Sequence, residues 1–456
     1  MKNKLLITTA LVAAVFSANN SLAGVVFTND SEVTSQSGYD SADNRISFNK
    51  DADGNNPVLT LAEDVELGSY VTLHDKTILN GDNKTLTVKG YLTETAPGSD
   101  LSGVNLKIEK GTVGQKPEGE LVIGNDLTVG NVEMAEGTGI FLHNTDEDYV
   151  TDGKTLTIAN GKILSLNNGY IKGTVNEEKS ELTLAGKGTV KNAGVTIIEQ
   201  NVVLDSNLDN TGRIALAEDV TLTANKQLKF DGTFAPGKYV GISSTNVTEV
   251  DGLGDGTEGT LILNDGIELT NGAGVWVNDI EINGGDVVLD GIMADPNPSE
   301  AVWRAGSMLG ANNAITVKDA KVTVSNNGQF NAGAGGLSFA NTEIDMSGAA
   351  GKEALLRVWE GDKGLTIDKD STININGEAV ISADKASVAG TINLDGTLAV
   401  RDSSNDTDAK GNLTLEDGAK VVSNVKSEDD FGKITGNINV AENGTVTLDT
   451  HLANGM

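Results

Sequence analysis

Of the 456 residues, 65 are acidic and 33 basic, a formal net charge of −32, and cysteine is absent. A chain this negative repels phosphate backbones, which excludes nucleic-acid binding through a basic patch; without thiols it has no disulfide, zinc–thiolate site or cysteine nucleophile. Aromatic residues make up only 4%, too few rings for the core of a globular enzyme of this length, while 38% hydrophobic and 21% charged content argues against disorder.

The chain opens with Lys2 and Lys4, an apolar stretch from Leu5 to Phe16, and the small-residue site Ser21-Leu22-Ala23. This is the pattern of a cleavable signal peptide over 1–23, with cleavage expected after Ala23. The apolar stretch is too short for a membrane span of about 20 residues, and no later window reads as one, so no transmembrane segment is expected in the mature chain. Removing the leader takes two lysines and no acid, leaving 31 basic and 65 acidic residues and a net charge of −34.

Residues 24–57 begin with the short apolar run Val25-Val26-Phe27 and continue through Ser, Asn and Asp. They are expected to form a polar N-terminal cap, which a stack of strands needs at its open edge. Inside this segment, Asn49-Lys50-Asp51-Ala52-Asp53-Gly54-Asn55 resembles the first half of an EF-hand-like loop. It makes Asn49, Asp51, Asp53 and Asn55 candidate calcium ligands, and calcium the one cofactor considered. The twelfth position is Thr60 instead of a bidentate Glu. The competing reading is an Asp/Asn/Gly surface turn that needs no ion. A variant at Asp406-Thr407-Asp408-Ala409-Lys410-Gly411 places Lys in a ligand position.

From Val58 onward, short stretches alternate between aliphatic residues and Thr or Ser and break at Gly, Asn or Asp. Examples are Thr155-Leu156-Thr157-Ile158, Val220-Thr221-Leu222-Thr223 and Asn412-Leu413-Thr414-Leu415. Period-two alternation predicts strands buried on one face, and strands this short gain a core only by stacking. Longer stretches also recur: Leu59 to Leu67 resembles Ile214 to Leu222 through a shared Leu-Ala-Glu-Asp-Val. No strict hexapeptide or nonapeptide period is present. The prediction is an all-β, right-handed parallel β-helix (a β-solenoid), with coils of about 20 to 25 residues and a length of order 80 to 100 Å.

Its first lobe is expected over 58–293 and its second over 301–456. A loop or joint falls at 294–300, where two of the 6 prolines cluster. Asn167-Asn168-Gly169, Asn312-Asn313 and Asn326-Asn327-Gly328 suit the corners, since Asn and Gly tolerate positive φ. Lys352 to Arg357 is read as one short helix.

The leader, the absence of cysteine, the Gly, Asn, Asp and Thr richness and the degenerate strand repeats together resemble the passenger region of bacterial autotransporter adhesins. The resemblance implies export to the cell surface or the extracellular space and association with the outer membrane. It also implies partners among surface glycans or proteins of host or neighbouring cells, or copies of the chain itself. Autotransporters add a C-terminal barrel of about 250 to 300 residues. No such segment precedes Met456, so the expectation is a truncated passenger or a stand-alone exported solenoid.

Chemistry-bearing motifs are sparse. His74, His143 and His451 have no metal-site spacing, and no Gly-x-Ser-x-Gly elbow occurs. The stretch 251–259 reads as a Gly-rich turn resembling a single nonapeptide roll, and 146–148 as a solvated acidic loop. Trp303-Arg304 and Trp359-Glu360 offer indoles for stacking on sugars, against burial as core or cap residues. Arg213, Arg304, Arg357 and Arg401 are scattered. The expected function is structural and adhesive, by display and multivalent binding without bond chemistry. The alternatives are an extracellular carbohydrate-active β-helix enzyme (a polysaccharide lyase or glycosidase) and an acidic surface-layer or matrix subunit.

Overall fold

The computed structural model describes residues 25–27, 32–33, 45–61, 63–73, 75–94, 97–111, 119–143, 153–173, 180–232, 240–245, 256–291, 306–361, 363–407, 409–423 and 432–449. The expected leader 1–23, the joint at 294–300, Trp303-Arg304, His74, His451 and the acidic stretch 146–148 lie outside these residues.

The regular elements described are all strands, mostly of three to six residues, and none is a helix long and apolar enough to cross a membrane. Their alternation is the cause. In Thr221–Ala224, Leu222 and Ala224 point inward and are buried, while Thr221 and Thr223 face outward. Asn412–Leu415 behaves in the same way.

The chain is a parallel β-helix. One coil shows the plan: Val195–Ile198, Asn201–Leu204 and Asn207–Asn210 lie on three successive faces, and Arg213–Leu216 returns to the first. Each strand then pairs in parallel with its counterpart one coil on: Val195 with Arg213, Val202 with Leu222, Thr189 with Asn207. We call the three resulting hydrogen-bonded ladders A, B and C. A right-handed sense is the one that strand twist imposes on parallel crossovers.

Among the described residues, ladder A runs from Val25–Phe27 to Lys433–Thr435 through seventeen rungs. At about 4.8 Å per rung, that is a rod of about 80 Å. Ladder C is interrupted after Asn207–Asn210 and resumes as a nine-stranded sheet from Leu228–Asp231 to Thr447–Asp449. Some strands bend round a corner and serve two ladders. Within Val65–Leu73, Val65 to Leu67 pairs with Leu86 to Val88 on C, and Tyr70 to Leu73 with Tyr91 to Glu94 on A.

Register is fixed but coil length is not. Eighteen residues separate Val195 from its partner Arg213, and 36 separate Thr397 from Lys433. Extra residues are absorbed between strands, so the inward columns stay aligned. On ladder A, Val71, Leu92, Leu121, Ile140 and Ile171 stack with almost no exposure. Aliphatic residues fill this narrow core; Phe330 and Phe339 meet edge to face at 5.6 Å.

Corners use the residues that tolerate a left-handed backbone. Asn168, Asn326 and Asn327 have φ of 49°, 45° and 67°. Asn312-Asn313 instead lies inside the strand Met308–Lys318, where it passes from ladder A to ladder B. The repeated Leu-Ala-Glu-Asp-Val motif turns two different corners: from B to C at 61–65, and from A to B at 216–220.

One expectation is corrected. Lys352 to Arg357 does not form a helix; Ala354–Val358 is a strand of ladder A, with Ala354, Leu356 and Val358 buried inward. Good helix formers were overridden by an alternation that completes the core column.

Within 24–57, Val25–Phe27 pairs with Arg45–Phe48, and Glu32–Val33 pairs with Val58–Leu61, so these strands take the first rungs. The ladders also run directly across the expected joint: Gly274–Ile282 pairs with Met308–Lys318 and Gly285–Asp290 with Ala320–Ser325. Burial falls at the last described rung of ladder B. Leu415 is 1% exposed, but Val440, its register partner on the last rung, is 48% exposed.

Candidate functional site

The three outer faces are not alike. Ladders B and C present mainly Thr, Asn, Asp, Glu and Lys, as in Thr221–Ala224 on B and Thr372–Ile375 on C. Every described Trp, Tyr and Arg belongs to ladder A. One outward column reads, rung by rung, Tyr91, Glu120, Gly139, Tyr170, Ile197, Ala215, Ser243, Trp276, Gly310, Asn331, Arg357, Ser382 and Arg401. Arg45 and Tyr70 occupy the two preceding register positions. Arg213 lies two residues before Ala215 on the same strand, and Trp359 extends the strand of Arg357 by bonding its backbone N–H to the Ala332 carbonyl at 3.0 Å.

Several connections that join this ladder to its neighbours are long in sequence. Leu142 to Lys154, Ser244 to Thr260, Asp290 to Met308 and Val422 to Lys433 all leave or enter it. Corners from B to C are short, as between Ile282 and Gly285. Loops placed by a rigid scaffold are where binding residues gather.

Two clusters lie along the column. In the first, the Tyr170 hydroxyl donates to Glu120 Oε1 at 2.7 Å, and Lys172 Nζ pairs with the same oxygen at 3.0 Å. Lys172 also sits 4.2 Å from the Tyr170 ring centroid, a cation–π contact. Gly139 makes this possible: a Cβ there would stand 2.3 Å from the Tyr170 ring, which crosses the bare backbone to reach Glu120 two rungs away. The buried carboxylate is thus satisfied by its own neighbours, which makes this cluster structural.

The second cluster is less complete. The six-membered ring of Trp276 lies against Gly310, whose Cβ would come within 2.2 Å of Cε3. One rung on, Asn331 is 4% exposed; its amide nitrogen donates to Gln329 Oε1 at 3.0 Å, and its Oδ1 is buried with no donor. Arg357 follows, half-buried, with Nε and Nη2 donating to the Ser403 carbonyl at 3.3 and 3.0 Å. No carboxylate among the described residues pairs with it, and burial holds its pKa below the ordinary arginine value. Arg401 differs: it donates to Asn405 Oδ1 at 3.2 Å and stands 3.7 Å from Glu353. Trp359 rests on Gly333, and its Nε1 is buried without an acceptor.

The calcium-loop candidates form a compact turn. Asp51 Oδ1 accepts from the backbone N–H of Asp53 at 3.0 Å and of Asn55 at 2.9 Å, and Oδ2 accepts from the Asn55 amide at 2.9 Å. Asp51 and Asn55 are therefore brought together, and Asp53 joins through its backbone. Asn49 Oδ1 is buried without a donor. No group of three or more His, Asp or Glu with metal-site geometry occurs among the described residues. In the second variant, Asp406 N–H bonds to Ser404 Oγ at 3.3 Å, and Asp408 lies outside the described residues. His143 stands 6.3 Å from the Phe141 ring, centroid to centroid.

An open groove of about 660 Å³ runs over the outer side of ladder C, lined by Asp286, Asp319, Lys321, Glu343, Asp370 and Asn374 among others. Asn374 binds Asp345 Oδ1 at 2.6 Å and accepts from Asn393 at 2.7 Å, so much of its polarity is internally matched. Comparison with family models, with curated proteins and with solved structures gave no match for this chain.

Proposed function

We propose that this chain is an exported β-solenoid of the bacterial cell surface, of the kind autotransporter passengers form, which acts by display and multivalent binding. In this reading the leader directs export with cleavage after Ala23, and the mature rod associates with the outer membrane. The outer side of ladder A is its contact face toward glycans or proteins of host or neighbouring cells. The observation that carries the reading is the gathering of all described Trp, Tyr and Arg on one face of three. These residue types are over-represented where proteins bind partners, and a straight ladder repeats the contact at a regular rise.

The test is adhesion of the mature chain, 24–456, to immobilised glycans and to cells. The quadruple variant Trp276→Ala, Arg357→Gln, Trp359→Ala, Arg401→Gln should lose at least tenfold in binding. A control variant on ladder C, Lys321→Gln with Glu343→Gln, should retain it. Equal adhesion by both variants would overturn the assignment of the face. Recovery of secreted protein beginning at Gly24 tests the export route.

The acidic groove of ladder C motivates a second reading, a polysaccharide-cleaving β-helix enzyme. Release of new reducing or unsaturated ends from acidic polysaccharides, abolished by Glu343→Gln, would establish it in place of the adhesive function.

A further inference from the structure

We propose that the stretch of ladder A around Arg357 is a binding site for a carboxylated saccharide, with the sugar carboxylate on the Arg357 guanidinium and sugar rings against Trp359 and Trp276. This deepens the proposed function by naming the ligand class of its contact face.

The chain has 65 acidic residues for 33 basic ones, so carboxylates to neutralise a cation are abundant. Exposed lysines find them: Lys229 pairs with Glu268 at 2.7 Å and Lys89 with Glu66 at 2.6 Å. Arg357 is half-buried, where pairing matters more, and has none among the described residues. A partly desolvated charge without a counter-ion is costly, and an anion supplied from outside removes that cost.

Nε and Nη2 both donate to the Ser403 carbonyl, which occupies the side edge of the guanidinium and holds the group still. The end edge, with one hydrogen on each Nη nitrogen, makes no hydrogen bond or ion pair among the described residues. That edge matches the two oxygens of a planar carboxylate in a bidentate pair.

Asn331, the Arg357 register partner one rung back, carries a buried oxygen with no donor; Trp359, two residues on, carries a buried N–H with no acceptor. An acceptor and a donor flanking a cation suit a ligand bearing hydroxyls beside its carboxylate, which an acidic peptide does not offer. Both indoles lie along the ladder over glycines, Trp276 on Gly310 and Trp359 on Gly333, and apolar sugar faces pack on such rings. Arg401 stands two rungs beyond Arg357, about 10 Å, a spacing that a second acidic residue of an extended chain reaches.

The experiment is calorimetric titration of the mature chain with trigalacturonate, its methyl ester, N-acetylneuraminic acid and oligoglutamate. Trigalacturonate or N-acetylneuraminic acid should bind, and the two arms tell a uronate from a sialate. The neutral ester should bind at least tenfold more weakly, and oligoglutamate should not compete. Arg357→Gln should lose at least tenfold in affinity, Arg357→Lys should recover part of it, and Lys321→Gln on ladder C should change nothing. Thermal melts of each variant confirm folding. Equal affinity for acid and ester, undiminished binding by folded Arg357→Gln, or preference for oligoglutamate would overturn the proposal. If the quadruple variant loses cell adhesion while no acidic sugar binds, this site falls and the contact face stands. If sugar binds through Arg357 while adhesion is untouched, the site stands and the adhesive reading falls.

Discussion

Asn192 donates its side-chain amide to Asn210 Oδ1 at 2.7 Å, one coil further on, inside the rod. The same nitrogen reaches the Arg213 carbonyl at 3.2 Å. The Asn192 oxygen accepts from Thr196 Oγ1 at 3.0 Å, and Asn210 donates on to the Gly212 carbonyl at 2.8 Å. Both asparagines are buried, so each bond replaces water that cannot enter.

Asn192→Ala should therefore destabilise the chain by about 2 kcal/mol, because it strands the Thr196 hydroxyl and Asn210 Oδ1. Asn210→Ala should cost a similar amount. The double variant should cost clearly less than the two together, since the shared bond is lost only once. Urea unfolding of the four proteins measures this coupling, and strict additivity would show that the two side chains act independently.

Gly310 and Gly241 should separate two kinds of close approach. In Gly310→Ala the new methyl meets the Trp276 ring, a side chain that can swing away. The expected loss is about 1 kcal/mol, with a change in tryptophan fluorescence. Gly241 has φ of 146°, and a Cβ there would lie within 1.7 Å of the Gly274 carbonyl oxygen. Backbone cannot yield so easily. Gly241→Ala should cost about 3 kcal/mol and leave the fluorescence of the folded protein unchanged.

Arg357 should be a liability to the ligand-free fold. Its pKa is lowered by burial, so the folded state holds this proton less tightly than the unfolded chain does. For a depressed base the penalty is fully present below the folded pKa and is relieved only as pH rises through it toward the ordinary arginine value. Across neutral pH it is constant. Arg357→Met should thus melt no lower than the parent at pH 6 to 8, and binding of trigalacturonate should vanish from the same protein. A large drop in melting temperature would mean that the Ser403 contact outweighs the desolvation.

The last rung should tolerate what the rung before it cannot. Leu415→Ala removes a fully buried side chain and should cost about 3 kcal/mol. Val440→Ala, at the register position directly above, should cost under about 1 kcal/mol because half of that side chain already meets water. Chemical denaturation of the two variants gives the comparison.

Architecture was legible in the sequence because it rests on local alternation. Thr221 to Ala224 or Asn412 to Leu415 can be read as half-buried strands without knowing their partners. Lys352 to Arg357 reads as helix because Leu and Glu favour that state, while the alternation of Ala354, Leu356 and Val358 stabilises a strand only once neighbouring rungs exist. The site was not legible at all. Trp276 and Arg357 are far apart in the chain, and with coil steps on ladder A from 18 to 36 residues no fixed period predicts that they share a column. Trp359, Arg213, Arg357 and Arg401 could be named from sequence; their common face could not. Asparagines that hydrogen-bond from coil to coil are an expectation of stacked corners; that Asn192 and Asn210 do so inside the rod is not legible. Their neighbours Gly194 and Gly212 at those turns were the available signal.

Since each coil leans only on the one before and the one after, pulling on the two ends of the rod loads its hydrogen bonds in sequence, never together. Tension would peel the fibre open one turn at a time, releasing 18 residues of slack at one step and 36 at another. A tether built this way yields gradually under shear, and its tightest turns give out the least length.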